Sequence, residues 1–500
     1  MHRREPSIAA AVAVSLALAA CRNAAESRAS DPDWSTLRIG VGQSASSAGQ
    51  GEGLRSLVQN LTIEQLATLT DEGRPRPGLA KDWTVSADGV ALTVNLVSGA
   101  KFHDGSPLTG AIVAQALQAT LPDTLGPILE DVDGVSAPND HQVVVRFRRR
   151  SPFILDLLDV PIPKPGAPTV GTGPHVLSDP KSLTEFRGND NYYLGRPAID
   201  RVVVTTFPSV RSAWAEMLRG RIDMLYDVGT DALDSLETSS NVSTFTYTRR
   251  YQYILIFNSR SDVFQSRQVR RALNMAVDKE ALVREALNGR GLVSSGPVWP
   301  HNSAFRADFP AFRFDRQSAA ATLSDGRGAV NRTGRLHFTC LVPPDAMYER
   351  IALVLKRQLA AVDVDMSVEE TSMNHLVDGL KNRRFEAALI EGVSGPTLLR
   401  PYQLWHSKGG KNPGGLGSAA LDVALDSIRH AASDDEYLRA VANFQQTIVD
   451  DPPAIFLAWI QRSRAVSKRF VVPPTEPGRD ILATFRMWKP VTEVSRTSHN

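Results

Sequence analysis

Alternation of apolar and polar positions is clearest at residues 90–96. Val90, Leu92, Val94 and Leu96 alternate with Ala91, Thr93 and Asn95, the period-2 pattern of a strand with one buried face. Asp88-Gly89 separates it from the run around Trp83-Thr84-Val85, and an Asp-Gly pair tolerates the left-handed backbone of a hairpin turn. Ile112, Val113, Ala116 and Leu117 give the stripe of an amphipathic helix over 111–121, with Thr109 or a neighbour as its cap. Similar patterns predict a first strand at 37–42 that ends in a polar loop, a helix over 54–69, and strands at 142–147 and 175–177. A strand at 201–207, a helix over 210–219 closed by Gly220 and a strand from 222 form an α/β unit with parallel pairing. Beyond it lie an aromatic strand at 251–258, a helix over 268–277, and a second helix from Asp278 as N-cap to Asn288-Gly289. A helix at 351–359, a strand at 364–368, a helix at 375–380, a strand at 385–390, helices at 421–431 and 434–449 and a strand at 452–459 follow.

The first twenty residues read differently. Arg3 and Arg4 precede an apolar run over 8–20, too short to span a bilayer, which takes roughly 20 apolar residues. It reads as an export signal. Leu18-Ala19-Ala20-Cys21 resembles a bacterial lipobox, in which the cysteine is acylated and becomes the first mature residue. The expectation is a signal peptide at 1–20, lipidation at Cys21, a membrane anchor through those acyl chains and a small, polar tether over 21–36. Cys340 is the other cysteine of the chain, so a lipidated Cys21 leaves it without a partner and it reads as a small buried residue.

Composition narrows the function classes. The mature part is too long for one core, so at least two lobes are expected. Hydrophobic residues make up 42% and charged residues 22%, which argues against disorder over most of the length. The net charge of +2 gives no reason to propose a nucleic-acid partner. None of the ten histidines is paired with another ligand at metal-binding spacing, so no metal or cofactor is expected. A Walker loop is absent, and Gly392-Val393-Ser394-Gly395 falls short of a nucleophile elbow. Gly171-Thr172-Gly173-Pro174 does not suit a phosphate, because Pro174 removes a backbone donor. His103-Asp104 is better read as turn chemistry before Gly105 than as a dyad. The chain does not read as an enzyme.

The block from Lys101 to Thr109, K-F-H-D-G-S-P-L-T, following a strand pair divided by Asp-Gly, resembles the signature of the family 5 extracellular solute-binding proteins, the receptors that feed peptides, nickel complexes and related solutes to ABC importers. So does V-R-R-A-L-N-M-A-V-D-K-E-A-L-V at 269–283. G-T-G-P-H at 171–175 matches the family's return between lobes, with His175 in place of its aromatic. The resemblance implies an α/β fold of the type II periplasmic binding kind, with two main lobes joined by a two-strand hinge and a smaller inserted lobe. Lobe I would comprise 37–60, 171–257 and 465–490, the inserted lobe 61–170 and lobe II 258–464. It further implies an extracytoplasmic, monomeric receptor that captures a peptide or similar solute by lobe closure and delivers it to a permease and ATPase. A metal-chelate or sugar-like solute of the same fold, a sensing or scaffold lipoprotein without a permease, and an envelope hydrolase are the alternatives.

Solute contacts are expected along 390–408. Peptide-binding relatives often carry an Asp there that holds a free amine; this chain has Val393-Ser394-Gly395-Pro396. Glu391 either substitutes for it or is a loop carboxylate. Trp405 and His406 either stack on, hydrogen-bond or ligate a solute, or belong to the core. Tyr251 and Tyr253 are candidate aromatic walls, Asn258 marks the expected crossing between lobes, and Gln43 in the loop after the first strand completes the candidate set.

Overall fold

The computed structural model describes residues 35–42, 52–179, 181–309, 312–330, 335–412, 418–476 and 478–491. Cys21, the tether as far as residue 34 and Gln43 lie outside them, and Thr36, expected as the tether's last residue, already belongs to the first strand. A single sheet of eleven strands runs through both main lobes. It is continuous because two strands are long: Val242–Phe257 and Ala454–Ser467 pair antiparallel over most of their length. Sixteen residues at 3.3 Å each reach roughly 50 Å, enough to cross from one lobe to the other.

At one end of these crossing strands lobe I adds Met224–Leu225, Thr36–Gly42, Arg201–Phe207, Glu185–Gly188 and His175–Leu177 in that order. At the other end lobe II adds Ala387–Val393, Leu336–Val342 and Val364–Glu370. The pairing of the crossing strands breaks between Thr248 and Gln252, upstream of Asn258. A break of this kind leaves residues unpaired and bends the strand.

Most elements form where periodicity places them. The Asp88-Gly89 turn closes the hairpin of Ala80–Val85 and Ala91–Leu96, with Gly89 at φ +71°. Thr109 caps the helix Gly110–Leu125 through Ile112 N, and Asp278 caps Lys279–Ala286 through Ala281 N. Three local readings differ. The helix expected over 54–69 stops at Thr62, and Ala67–Leu69 pairs with Pro75–Pro77 instead. The stop follows from crowding: a Cβ on Gly171 would lie 2.0 Å from the Thr62 carbonyl oxygen, so the return segment packs straight onto that helix end. That contact is why both glycines of G-T-G are needed. The strands at 201–207 and 224–225 are parallel but not adjacent, because Thr36–Gly42 lies between them and pairs with both. The aromatic strand begins at Val242 rather than at 251.

The inserted segment has its own antiparallel sheet, ordered Ala80–Val85, Ala91–Leu96, Gln142–Phe147 and Val132–Asn139. Its core does not stay its own. Leu92, Val94, Leu117 and Phe153 belong to one cluster with Tyr402, Trp405, Leu425 and Phe444 of lobe II. Lobe I, by contrast, has a separate core around Leu37, Ile39, Val202 and Trp488. The inserted lobe is therefore chained to lobe I but packed on lobe II.

Candidate functional site

A cleft of about 1980 Å³ opens where the crossing strands pass between the lobes. Tyr226 lines it from lobe I, Tyr348 from lobe II, and Tyr247, Tyr251 and Tyr253 from the first crossing strand. Burial raises the hydroxyl pKa of Tyr253 to about 12, so that ring is a neutral wall that can stack and donate a hydrogen bond.

The floor of the cleft is charged. Glu391, on Ala387–Val393, stands opposite Tyr253 in the register. Its two oxygens accept from Arg249 Nη1 and Arg462 Nη2, each at 3.2 Å. One arginine comes from each crossing strand. Arg249 also lies 4.3 Å over the Tyr251 ring, a cation–π contact that fixes its orientation. Nearby, Arg250 donates to Asp71 at 2.9 Å and to the Leu69 carbonyl at 3.1 Å, tying the crossing strand to the inserted lobe. Arg464 bridges Asp480 through two nitrogens at 2.6 Å each and covers the Tyr226 ring.

A buried acid closes the lobe I side. Glu64 accepts from Tyr192 Oη at 2.8 Å, Tyr193 Oη at 3.2 Å and Thr172 Oγ1 at 2.8 Å. Desolvation pushes its pKa up, opposed by those three hydroxyl donors. It is a satisfied carboxylate rather than a free one.

Tyr251, Tyr253 and Glu391 thus line the cleft, while Asn258, Trp405 and His406 lie away from its lining. Asn258 Nδ2 donates to the Arg383 and Phe385 carbonyls, at 3.1 and 2.6 Å, and pins the end of the crossing strand. The Trp405 ring packs edge-on against Phe456. His406 stacks on Tyr402 at 4.6 Å, and its Nδ1 accepts from Lys408 N at 3.0 Å. Among the described residues no group of three or more His, Cys, Asp or Glu side chains is placed to hold a metal. The residues that sequence patterning missed are Arg249 and Arg462.

His103 of the signature block also has a place. Its Nε2 lies 3.0 Å from the Gly173 carbonyl, and its backbone N–H donates to the Gly171 carbonyl at 2.9 Å. Burial lowers its pKa, so the neutral ring with a protonated Nε2 ties the inserted lobe to the return segment. Asp104 accepts from Ser106 and Lys164 on the surface; the two side chains do not form a dyad.

Comparison with known proteins fits this architecture. Residues 74–414 match the family described as bacterial extracellular solute-binding proteins, family 5 Middle. The chain belongs to that family. It is 23% identical to the oligopeptide-binding protein AppA of Bacillus subtilis, over 86% of this chain and 87% of the other. The structure of that AppA in complex with a nonapeptide superposes with a TM-score of 0.76 at 21% identity, covering 91% of this chain and 99% of that one. NikZ from Campylobacter jejuni in complex with Ni(L-His) gives 0.78 at 21% identity, with the same coverage. The fold is that of the type II periplasmic binding proteins. Family members work outside the cytoplasm as the solute-binding components of ABC importers; they bind and do not catalyse.

Proposed function

We propose that this chain is the lipid-anchored receptor of an ABC importer and that its solute is a peptide or a molecule of similar size. The cleft of about 1980 Å³ carries the reading. Pockets for single drug-sized ligands occupy about 300–1,000 Å³, so this one has room for an extended solute. Tyrosine walls suit varied side chains, because an aromatic face accepts apolar and cationic groups alike.

Capture works by closure. Residues from lobe I, lobe II and both crossing strands line one cleft, so a solute that touches all of them favours the shut arrangement and shifts the population towards it. The irregular pairing between Thr248 and Gln252 is where the strands can bend. Cys21, acylated after removal of 1–20, holds the monomer at the membrane beside its permease and ATPase.

Thermal-shift screening of peptide, metal-chelate and oligosaccharide pools tests the solute class. A peptide that binds only the folded state raises stability by about 2.7 kcal/mol at a hundredfold excess over its dissociation constant. A rise with another pool alone would reassign the cargo. Cys21→Ser should move the protein from the membrane to the soluble fraction; retention in the membrane would remove the anchor.

A further inference from the structure

We propose that the inserted lobe travels with lobe II when the cleft opens. Lobe I then swings away from both, and the mouth of the cleft lies between lobe I and the inserted lobe, at the ion pair Arg76–Glu476. The inference rests on the reading of capture by closure and adds which bodies move and where they part.

The inserted lobe touches both main lobes, and the two sets of contacts differ in kind and in place. Its ties to lobe II come from well inside the insert. Gln403 Nε2 donates to the Thr124 carbonyl, and Thr397 Oγ1 to Asp156. Arg429 pairs with Glu130 and with Asp131, and both members of the Arg429–Asp131 pair are buried. The Phe153 and Tyr402 rings meet edge to face. These groups border one apolar core that holds Leu92, Leu117 and Phe153 together with Trp405, Leu425 and Phe444. Parting this face would return that apolar surface to water and pull a buried ion pair apart.

The ties to lobe I gather where the chain enters and leaves the insert, at 62–64 and 171–173. Gly173 N donates to the Thr62 carbonyl at 3.0 Å, and His103 bonds the Gly171 and Gly173 carbonyls. Glu64 accepts from Thr172, Tyr192 and Tyr193. Bonds beside a pivot change little in length when the body beyond it turns, so these survive a rotation about the two connectors. Arg250 holds Asp71 from within the irregular stretch between Thr248 and Gln252, where the crossing strand itself bends. Away from the connectors, Arg76 on Pro75–Pro77 reaches Glu476 across the cleft that both line. Those two side chains are 55% and 36% exposed, and an ion pair so open to water contributes little. Opening along lobe I therefore breaks a weak, hydrated pair, whereas opening along lobe II breaks a core.

The test is distance measurement by pulsed electron resonance on the full chain with no solute added. Cysteines for nitroxide labels replace the exposed Leu218 of lobe I, Asp140 of the inserted lobe and Leu438 of lobe II, two at a time. Cys21→Ser removes one native thiol, and the other, Cys340, is buried. The Asp140–Leu438 pair should give one narrow distance, while both pairs that include Leu218 spread over a range several times wider. Arg76→Glu, which makes the contact with Glu476 repulsive at an exposed site, should lengthen the two Leu218 distances and leave the third in place. A broad Asp140–Leu438 distribution beside a narrow Leu218–Asp140 one overturns the proposal and assigns the inserted lobe to lobe I. Three broad distributions overturn it as well, since the insert then moves alone. Three narrow distributions that Arg76→Glu leaves unchanged overturn capture by closure itself, and the proposal falls with it.

Discussion

Two arginine–carboxylate clusters join different parts of this molecule, and they are built on opposite plans. At the cleft floor, Arg249, Arg462 and Glu391 keep 26%, 29% and 20% of their side chains exposed. Between the inserted lobe and lobe II, Arg429 and Asp131 keep 5% and 0%. There all three nitrogens of Arg429 are used: Nε on Asp131 at 2.6 Å, Nη1 on Tyr402 Oη at 2.9 Å and Nη2 on Glu130 at 2.8 Å. The buried cluster spends every guanidinium nitrogen within the protein and does not line the cleft. The floor cluster has donors to spare. Burial marks the contact that holds the inserted lobe on lobe II, and partial exposure marks the one that lines the cleft.

The comparison breaks most visibly at Asp131. Asp131→Ala leaves Arg429 buried beside a vacancy, and removing one partner of a buried pair costs about 3–5 kcal/mol. Denaturant unfolding should show that loss in the body formed by the inserted lobe and lobe II. A change below about 1 kcal/mol would mean that the pair is no more than a surface ion pair.

The same interface carries a proton switch of smaller size. Asp156 of the inserted lobe accepts from Thr397 Oγ1 of lobe II. Burial, above all, pushes its pKa up to about 7; Asp159 adds to the rise, while Thr397 and Arg400 oppose it, and Tyr437 also faces the group. Between its ordinary value and about 7 the folded state holds more protons than the unfolded chain, so stability falls as pH rises across that window and levels off above it. Thermal midpoints of the wild type should therefore gain on those of Asp156→Asn on acidification from pH 8 towards pH 5, over a shared background in which Glu64 and Asp159, the latter raised to about 6, favour the acid side and the buried His103 and His175, lowered, oppose it. An unchanged profile in that variant would assign the effect elsewhere.

Glu391→Gln sharpens the other half of the comparison. It removes the internal counter-ion of the floor, where partial exposure keeps each ion pair worth about 1 kcal/mol or less. Stability should hardly move, while the affinity for any solute found by the thermal-shift screen should shift severalfold, because Arg249 and Arg462 lose the carboxylate they share in the cleft. Loss of stability comparable to that of Asp131→Ala would place the floor among the structural clusters.

Much of this was legible in the chain, and the gaps have physical reasons. Strand and helix positions follow apolar spacing, and the turn at Asp88-Gly89 follows from residue type. The floor was half visible: Tyr251, Tyr253 and Glu391 stood out as an aromatic strand and a lone acid. Arg249 shares the alternation of Tyr251 and Tyr253, and Arg462 follows Trp459 and Ile460 in the return strand. Extending the first strand back past 251 would have found Arg249, but Thr246, Thr248 and two arginines carry no apolar signal. No local pattern reveals that the inserted lobe packs on lobe II, because Phe153 and Tyr402, 5.9 Å apart, are distant in sequence. The end of the first helix at Thr62 was hidden for the same reason: the glycines that stop it come from another segment.

The smallest effect is expected where sequence reading looked most chemical. His406 follows Trp405 and has two carboxylates within reach, Asp422 Oδ1 at 3.8 Å and Asp426 Oδ1 at 3.5 Å, which suggests a metal or solute contact. Its surroundings argue otherwise. The ring is 4% exposed, lies face to face with Tyr402 and has Nδ1 occupied by Lys408 N. Tyr402 in turn is a partner of Arg429, so His406 buttresses the buried cluster and does not line the cleft. His406→Gln should lower stability by about 1 kcal/mol and leave the affinity for any bound peptide within about twofold, an energy difference well under the 1.4 kcal/mol of a tenfold change. A tenfold loss of affinity in that variant would show that the two clusters are coupled through Tyr402, and that closure draws on the interface between the inserted lobe and lobe II as well as on the floor.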